Sequence, residues 1–186
     1  MKTRLFLSGG ILVALLGLAA AASAQTISSA ANQTFVVGDP RTAISPITIT
    51  ATSGGQIKKN SDIRVRIPAG LNMTWDPTIT TATITGSAAI KVLTTVSYAN
   101  GNLDLVITVT TNFGNGDQIT VSGLNFTNFT APSAASRLGL ITGGAGGAVV
   151  ATDARTKTIV AKVYAVAVAP HATTATPAVI RFPLFV

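Results

Sequence analysis

Leu103-Asp104-Leu105-Val106-Ile107-Thr108-Val109-Thr110 is the stretch that decides the fold, together with Gln118-Ile119-Thr120-Val121-Ser122-Gly123-Leu124-Asn125-Phe126-Thr127-Asn128-Phe129. Leu103, Leu105, Ile107 and Val109 alternate with Asp104, Thr108 and Thr110, and Val106 is the one apolar residue out of step. After a break at Asn112-Phe113-Gly114-Asn115-Gly116-Asp117, Ile119 and Val121 resume the period and Leu124, Phe126 and Phe129 extend it. A period of two with threonine on the off-beat is a strand with one face in a core and one in water. It is a scaffold signal and carries no chemistry.

The same grammar runs outward on both sides. Asn100-Gly101 joins the Leu103 strand to one holding Val92, Val96 and Tyr98. Asn-Gly between two alternating runs is a strong hairpin signal, because both residues tolerate the positive φ of a type I′ turn. Upstream, Ile63, Val65 and Ile67 are expected inward, with Asp62, Arg64 and Arg66 outward. Leu71, Met73 and Trp75 then return to the core after the break at Pro68-Ala69-Gly70. Thr34-Phe35-Val36-Val37 and Ile47-Thr48-Ile49-Thr50 read as the first strands, with Gln25 to Gln33 as an irregular start. Thr78 to Thr85, a short strand at Leu138 and Leu140, Val149-Val150 and Ile159 to Val168 complete the list, and Thr142 to Gly147 is a Gly-rich loop. About nine or ten short strands with turns every eight to twelve residues predict an all-β fold, an immunoglobulin-like β-sandwich over 25–169.

Composition supports this and sets a compartment. Met1-Lys2-Thr3-Arg4, an apolar run from Leu5 to Leu18 and Ala20-Ala21-Ala22-Ser23-Ala24 read as a secretory signal peptide over 1–24. The run is shorter than the roughly 20 residues that span a bilayer, so no transmembrane segment is expected in the mature chain, which is expected to be secreted, extracellular or at the cell surface. The chain has no cysteine, so stability must come from core and backbone ladders. Its acids are six aspartates, against thirteen Lys and Arg, of which Lys2 and Arg4 leave with the signal peptide. A positive balance favours anionic surfaces, but the charges are spread and only Lys58, Lys59, Arg64 and Arg66 approach a cluster.

Chemistry-bearing residues are few. His171 is the one histidine and stands in a Thr/Ala/Pro spacer, which is poorly placed to orient a catalytic ring. With one His, no Cys and no Glu, the ligand supply argues against a zinc site. Asp39, Asp76, Asp117 and Asp153 fall at expected loops and are the least poor calcium ligands, yet no Asp-x-Asp spacing occurs. The Gly-rich run lacks the Gly-Lys-Ser/Thr of a phosphate loop. The reading is therefore no enzyme, no cofactor and no nucleic-acid partner. From 170 onward a spacer leads to an apolar segment with Ile180, Phe182, Leu184 and Val186 on one face. Such a strand either closes its own sheet or adds to a neighbour's edge. The expected assembly residues are these four with Phe35 and Val37. The alternative is a glycan-binding or adhesion module using Trp75, Arg64 and Arg66.

Ser61-Asp62-Ile63-Arg64-Val65-Arg66-Ile67-Pro68-Ala69-Gly70-Leu71-Asn72-Met73-Thr74-Trp75 resembles a module repeated in very large bacterial surface proteins of adhesin-like, tandem-repeat type. Val92 to Tyr98 and Gly116 to Leu124 continue the resemblance, which covers about Phe35 to Ile159 in a single copy. It implies an extracellular β-sandwich with a structural or adhesive role and no catalysis; the partners expected for the chain are other copies of itself or other cell-surface components.

Overall fold

Alternating Thr, Ile and Val favour the pleated, half-buried surface of a sheet. In the computed structural model, which describes residues 25–52 and 57–164, they form thirteen strands, one three-residue 3-10 turn (Ala89–Lys91) and no α-helix among the described residues. The expected signal peptide and the segment carrying Ile180, Phe182, Leu184 and Val186 lie outside the described residues. No helix among the described residues is long and apolar enough to cross a membrane.

A four-stranded antiparallel sheet runs β1 (Gln25–Ser29), β4 (Ile47–Ala51), β10 (Gln118–Ser122) and β7 (Thr83–Thr85). A six-stranded sheet runs β2 (Gln33–Val36), β13 (Ala151–Val160), β12 (Ser133–Ile141), β5 (Asp62–Arg66), β9 (Asp104–Val109) and β8 (Val92–Ala99). All its neighbours are antiparallel except β2 and β13, which pair in parallel. A small third sheet, β3 (Thr42–Ala43), β11 (Asn125–Thr127) and β6 (Thr74–Trp75), contributes large aromatic side chains.

One apolar cluster joins the three sheets, drawing on Ile47, Ile49, Ile119 and Val121 from the first, Ile63, Val65, Leu105, Ile107, Leu138 and Leu140 from the second, and Trp75 and Phe126 from the third. These are the inward residues that the period of two selects. The Trp75 and Phe126 rings lie 4.6 Å apart, and Phe35 stacks on Phe129 at 4.5 Å. Without disulfides, burial of such side chains at roughly 1.5–3 kcal/mol each is the main favourable contribution.

The β8–β9 hairpin forms as expected, pairing Ala99 with Asp104. Its tight turn is centred one residue later than Asn100-Gly101: Leu103 N–H donates to the Asn100 carbonyl at 3.2 Å, and Asn100, Gly101 and Asn102 all have positive φ. Three differences concern the chain ends and edges. The irregular start contains β1, and the last strand begins at Ala151 rather than at Ile159. Of Thr78 to Thr85 only Thr83–Thr85 is a strand, with an isolated bridge from Thr81 to Thr95.

Gly86 has φ +105°, and a Cβ there would lie 2.5 Å from the Gln118 carbonyl oxygen, whereas Gly38 has φ +82° with nothing within 4 Å. Positive φ alone costs an alanine about 1–2 kcal/mol. Urea unfolding should therefore show Gly86→Ala losing more stability than Gly38→Ala, the excess reporting the clash.

Candidate functional site

The two strands that the sequence reading passed over face each other. β1 is an edge strand, hydrogen-bonded to β4 on one side and to no strand on the other among the described residues. It lies against β13, whose ladder with β2 covers only Lys157 to Val160. Between β1 and the first half of β13 runs an open groove of about 460 Å³. Ile27, Val150, Ala151 and Ala154 give it apolar walls, with Thr26, Ser28 and Thr152 at its margins.

Beneath this seam sits a buried polar cluster. Asp153 and Lys157 are both 0% exposed and Ser29 is sealed with them. Asp153 Oδ1 accepts the backbone N–H of Ser29 at 2.7 Å and that of Arg155 at 3.0 Å. Its Oδ2 accepts the Ser29 hydroxyl and faces Lys157 Nζ at 3.5 Å, while Lys157 Nζ donates to Ser29 Oγ at 3.0 Å. Serine, lysine and aspartate in contact are the ingredients of an activated nucleophile. Here none of the three lines the groove and no solvent reaches them, so their observed work is to satisfy each other and pin β1 to β13.

On the outer face of the six-stranded sheet, opposite charges are placed side by side by register. Arg66 is paired with Asp104 across β5 and β9, and its Nε and Nη2 both donate to that carboxylate at 2.7 Å. Arg64 donates to Asp62 at 2.9 Å. Asp104 was expected outward in water and Arg64 was expected exposed; both are buried. Asp104 is covered by the Arg66 guanidinium, and beside Arg64 and Arg66 the chain after β12 folds back, with Val149 against Gly139 and Gly147 against Ile141. Only glycine fits so close to Ile141, since a Cβ on Gly147 would lie 2.8 Å from its Cγ2.

The alternative glycan set is not assembled. Trp75 is fully buried against Phe126, with its indole N–H donated to the Val65 carbonyl at 3.1 Å, so its face is unavailable for stacking on a sugar. Arg64 and Arg66 are engaged with Asp62 and Asp104. Phe35 is likewise a core side chain, stacked on Phe129, and Val37 is half-buried with its N–H donated to Val160. The free edge of β2 is blunted by side chains: Val36 N–H donates to Asp39, and the Gln33 amide bridges Ala43 and Ser45. Donation of Phe35 and Val37 to a neighbour would unpack the core.

The aspartates considered as calcium ligands do not converge. Asp39 caps Val36, Asp76 holds Thr78, Asp117 binds Lys91 and the Gly114 N–H, and Asp153 serves the seam. Among the described residues no three His, Cys, Asp or Glu side chains gather where they could hold a metal ion. His171 lies outside the described residues. Comparison with family models and with curated protein sequences finds no match to this chain.

Burial lowers the Lys157 pKa below its ordinary 10.5, against the smaller opposing pull of Asp153. Between the folded and unfolded values the unfolded chain binds more protons, so stability from this group rises with pH through that window. Lys157→Met should remove this rise. It should also cost up to about 3–5 kcal/mol in thermal or urea unfolding near neutral pH, because it leaves a buried carboxylate without its cation. Adding Asp153→Asn should restore most of the loss.

A second pH dependence has the opposite sign. The Tyr98 hydroxyl donates to the Ile79 carbonyl at 2.6 Å, and burial, then Asp76, push its pKa up to about 12. Stability from this group is complete below the unfolded value and falls as pH rises through about 12. Tyr98→Phe should flatten that alkaline loss and cost about 1 kcal/mol at neutral pH, measured by denaturant titration.

Proposed function

We propose that this chain is a secreted, non-enzymatic structural protein. It would be a subunit of an extracellular filament, matrix or surface layer, built on an immunoglobulin-like sandwich and assembling through edge-strand contacts. The observation that carries this reading is the place of β1 at the end of its sheet, with a strand neighbour on one side only among the described residues, beside an open groove. An open strand edge is a template for pairing with another chain, and proteins that stay monomeric normally blunt it. β2 is blunted in that way by Asp39 and Gln33, while one side of β1 and half of β13 have no strand partner among the described residues.

Two further features support a building material rather than a catalyst. Six charged side chains (Asp62, Arg64, Arg66, Asp104, Asp153 and Lys157) are engaged in pairs that are internal to the sheets or their seam. The amino-terminal sequence, with its basic start, apolar run and Ala-Ser-Ala end, supports export. The adhesion alternative loses the tryptophan it relied on, because Trp75 is inside the core.

A chain ending at Thr176 keeps every described strand. In size-exclusion chromatography it should elute as a monomer, whereas the chain through Val186 should form large species. Equal, monomeric elution of both would remove self-assembly as the function.

A further inference from the structure

We propose that the buried Lys157–Asp153 pair is a condensation site, at which the Lys157 amine and the Asp153 carboxyl join in an amide with loss of one water. This goes beyond the self-assembly reading and stands or falls without it.

Backbone geometry first brings the two groups together. Residues four apart on a regular strand lie about 13 Å from each other, at ~3.3 Å per residue. Here β12 takes two steps from Arg137 to Gly139 while the paired stretch of β13 takes four, from Thr156 back to Thr152, so β13 bulges. The Arg155 N–H and the Arg137 guanidinium hold the bulge by donating to the Asp153 carboxylate and carbonyl. Lys157 Nζ is thereby placed 3.5 Å from Asp153 Oδ2, with both side chains sealed from water. Groups held in contact react without the entropic cost of meeting.

The hydrogen bonds then divide the two carboxylate oxygens between two roles. Oδ1 sits between two backbone N–H groups, that of Ser29 at 2.7 Å and that of Arg155 at 3.0 Å. Donors placed in this way stabilise the negative oxygen of a tetrahedral intermediate. Oδ2 accepts the Ser29 hydroxyl, and that same Oγ accepts from Lys157 Nζ at 3.0 Å. Nζ, Oγ and Oδ2 form a continuous proton path from the nucleophile to the leaving oxygen.

The step balances with the groups present. One proton passes from the ammonium through Ser29 to Oδ2, giving a neutral amine and a neutral acid, the forms that burial favours. The lowered Lys157 pKa has the same cause. The Nζ lone pair forms a bond to Cγ, and the C=O electrons move on to Oδ1. A second proton follows the same path. Oδ1 then re-forms its double bond, and the Cγ–Oδ2 bond breaks as Oδ2 leaves with both protons as water. The amide nitrogen keeps one hydrogen. The product exchanges two buried charges for one neutral group and locks the bulge to which Ser29 ties β1, a covalent fastening in a chain that has no cysteine. The pH dependence described above for Lys157 belongs to the chain before this bond forms.

Mass spectrometry of the purified full chain tests this. The protein would be unfolded and digested with chymotrypsin, which has no aromatic or leucine site between Asp153 and Lys157. The expected peptide spanning both residues weighs one water less than its sequence, and trypsin, cutting after Arg155, leaves its two halves joined. A peptide of full sequence mass would overturn the proposal. Halves that separate, with the water missing from the Asp153 half, would assign the loss to a succinimide and overturn it as well. So would Asp153 joined to the peptide carrying Ser29, which is an ester. Lys157→Met should show the full mass, and a water loss persisting there would exclude Lys157 as the nucleophile. In a time course after synthesis, Ser29→Ala should form the amide about 100-fold more slowly, the low end for a positioned proton transfer, while Ser29→Thr keeps the hydroxyl and the rate. Equal rates in a Ser29→Ala chain whose circular dichroism shows the intact sheet fold would overturn the role of Ser29. If that variant does not fold, the mass of the unaltered chain still decides the amide.

Discussion

The edge of this fold depends on the Asp153 carboxylate. It accepts hydrogen bonds from the N–H and hydroxyl of Ser29 and from the N–H of Arg155, and it faces the Lys157 ammonium. Two opposite charges taken out of water gain little net energy from each other, because desolvation offsets their attraction. Their value is in where they hold the backbone. β1 shares no ladder with β13, and this cluster supplies polar contacts that bind one to the other across the seam. The groove lies where the two strands, tied near Ser29, share no ladder.

The same economy appears on the outer face of the six-stranded sheet. Register places Arg66 opposite Asp104, and the two form a bidentate pair. A bidentate guanidinium–carboxylate contact fixes geometry as well as charge, so it helps specify which residues of β5 and β9 lie opposite. A one-residue slip would separate these charges and turn Ile63, Val65, Leu105 and Ile107 out of the core. The ion pairs and the apolar alternation thus specify one register together.

How far the sequence was legible follows from what stood at the inward positions. Along β5, β9 and β10 those positions hold Ile, Val and Leu, so period two exposed them directly. Along β13 they hold Asp153 and Lys157, and along β1 Gln25 and Ser29 flank a single Ile27. A search for apolar alternation passes over both strands. Threonine at 152, 156 and 158 was the remaining signal, the same off-beat that marks the Leu103 strand. The candidate site was hidden for this reason: its walls belong to the two strands whose cores are polar.

By itself the sequence determined the all-β class, the hairpin around Asn100-Gly101, most of the apolar core and the lack of sulfur cross-links. These follow from side-chain period, backbone preferences and composition, which are local properties. Only the tertiary structure decided that Trp75 is a core residue, that Arg64 and Asp104 are buried as ion-pair members, and that Ser29 meets Asp153 across 124 positions of sequence. Those facts depend on which strands become neighbours and which loop folds over which face. That is settled by the packing of the whole chain, and no local pattern encodes it.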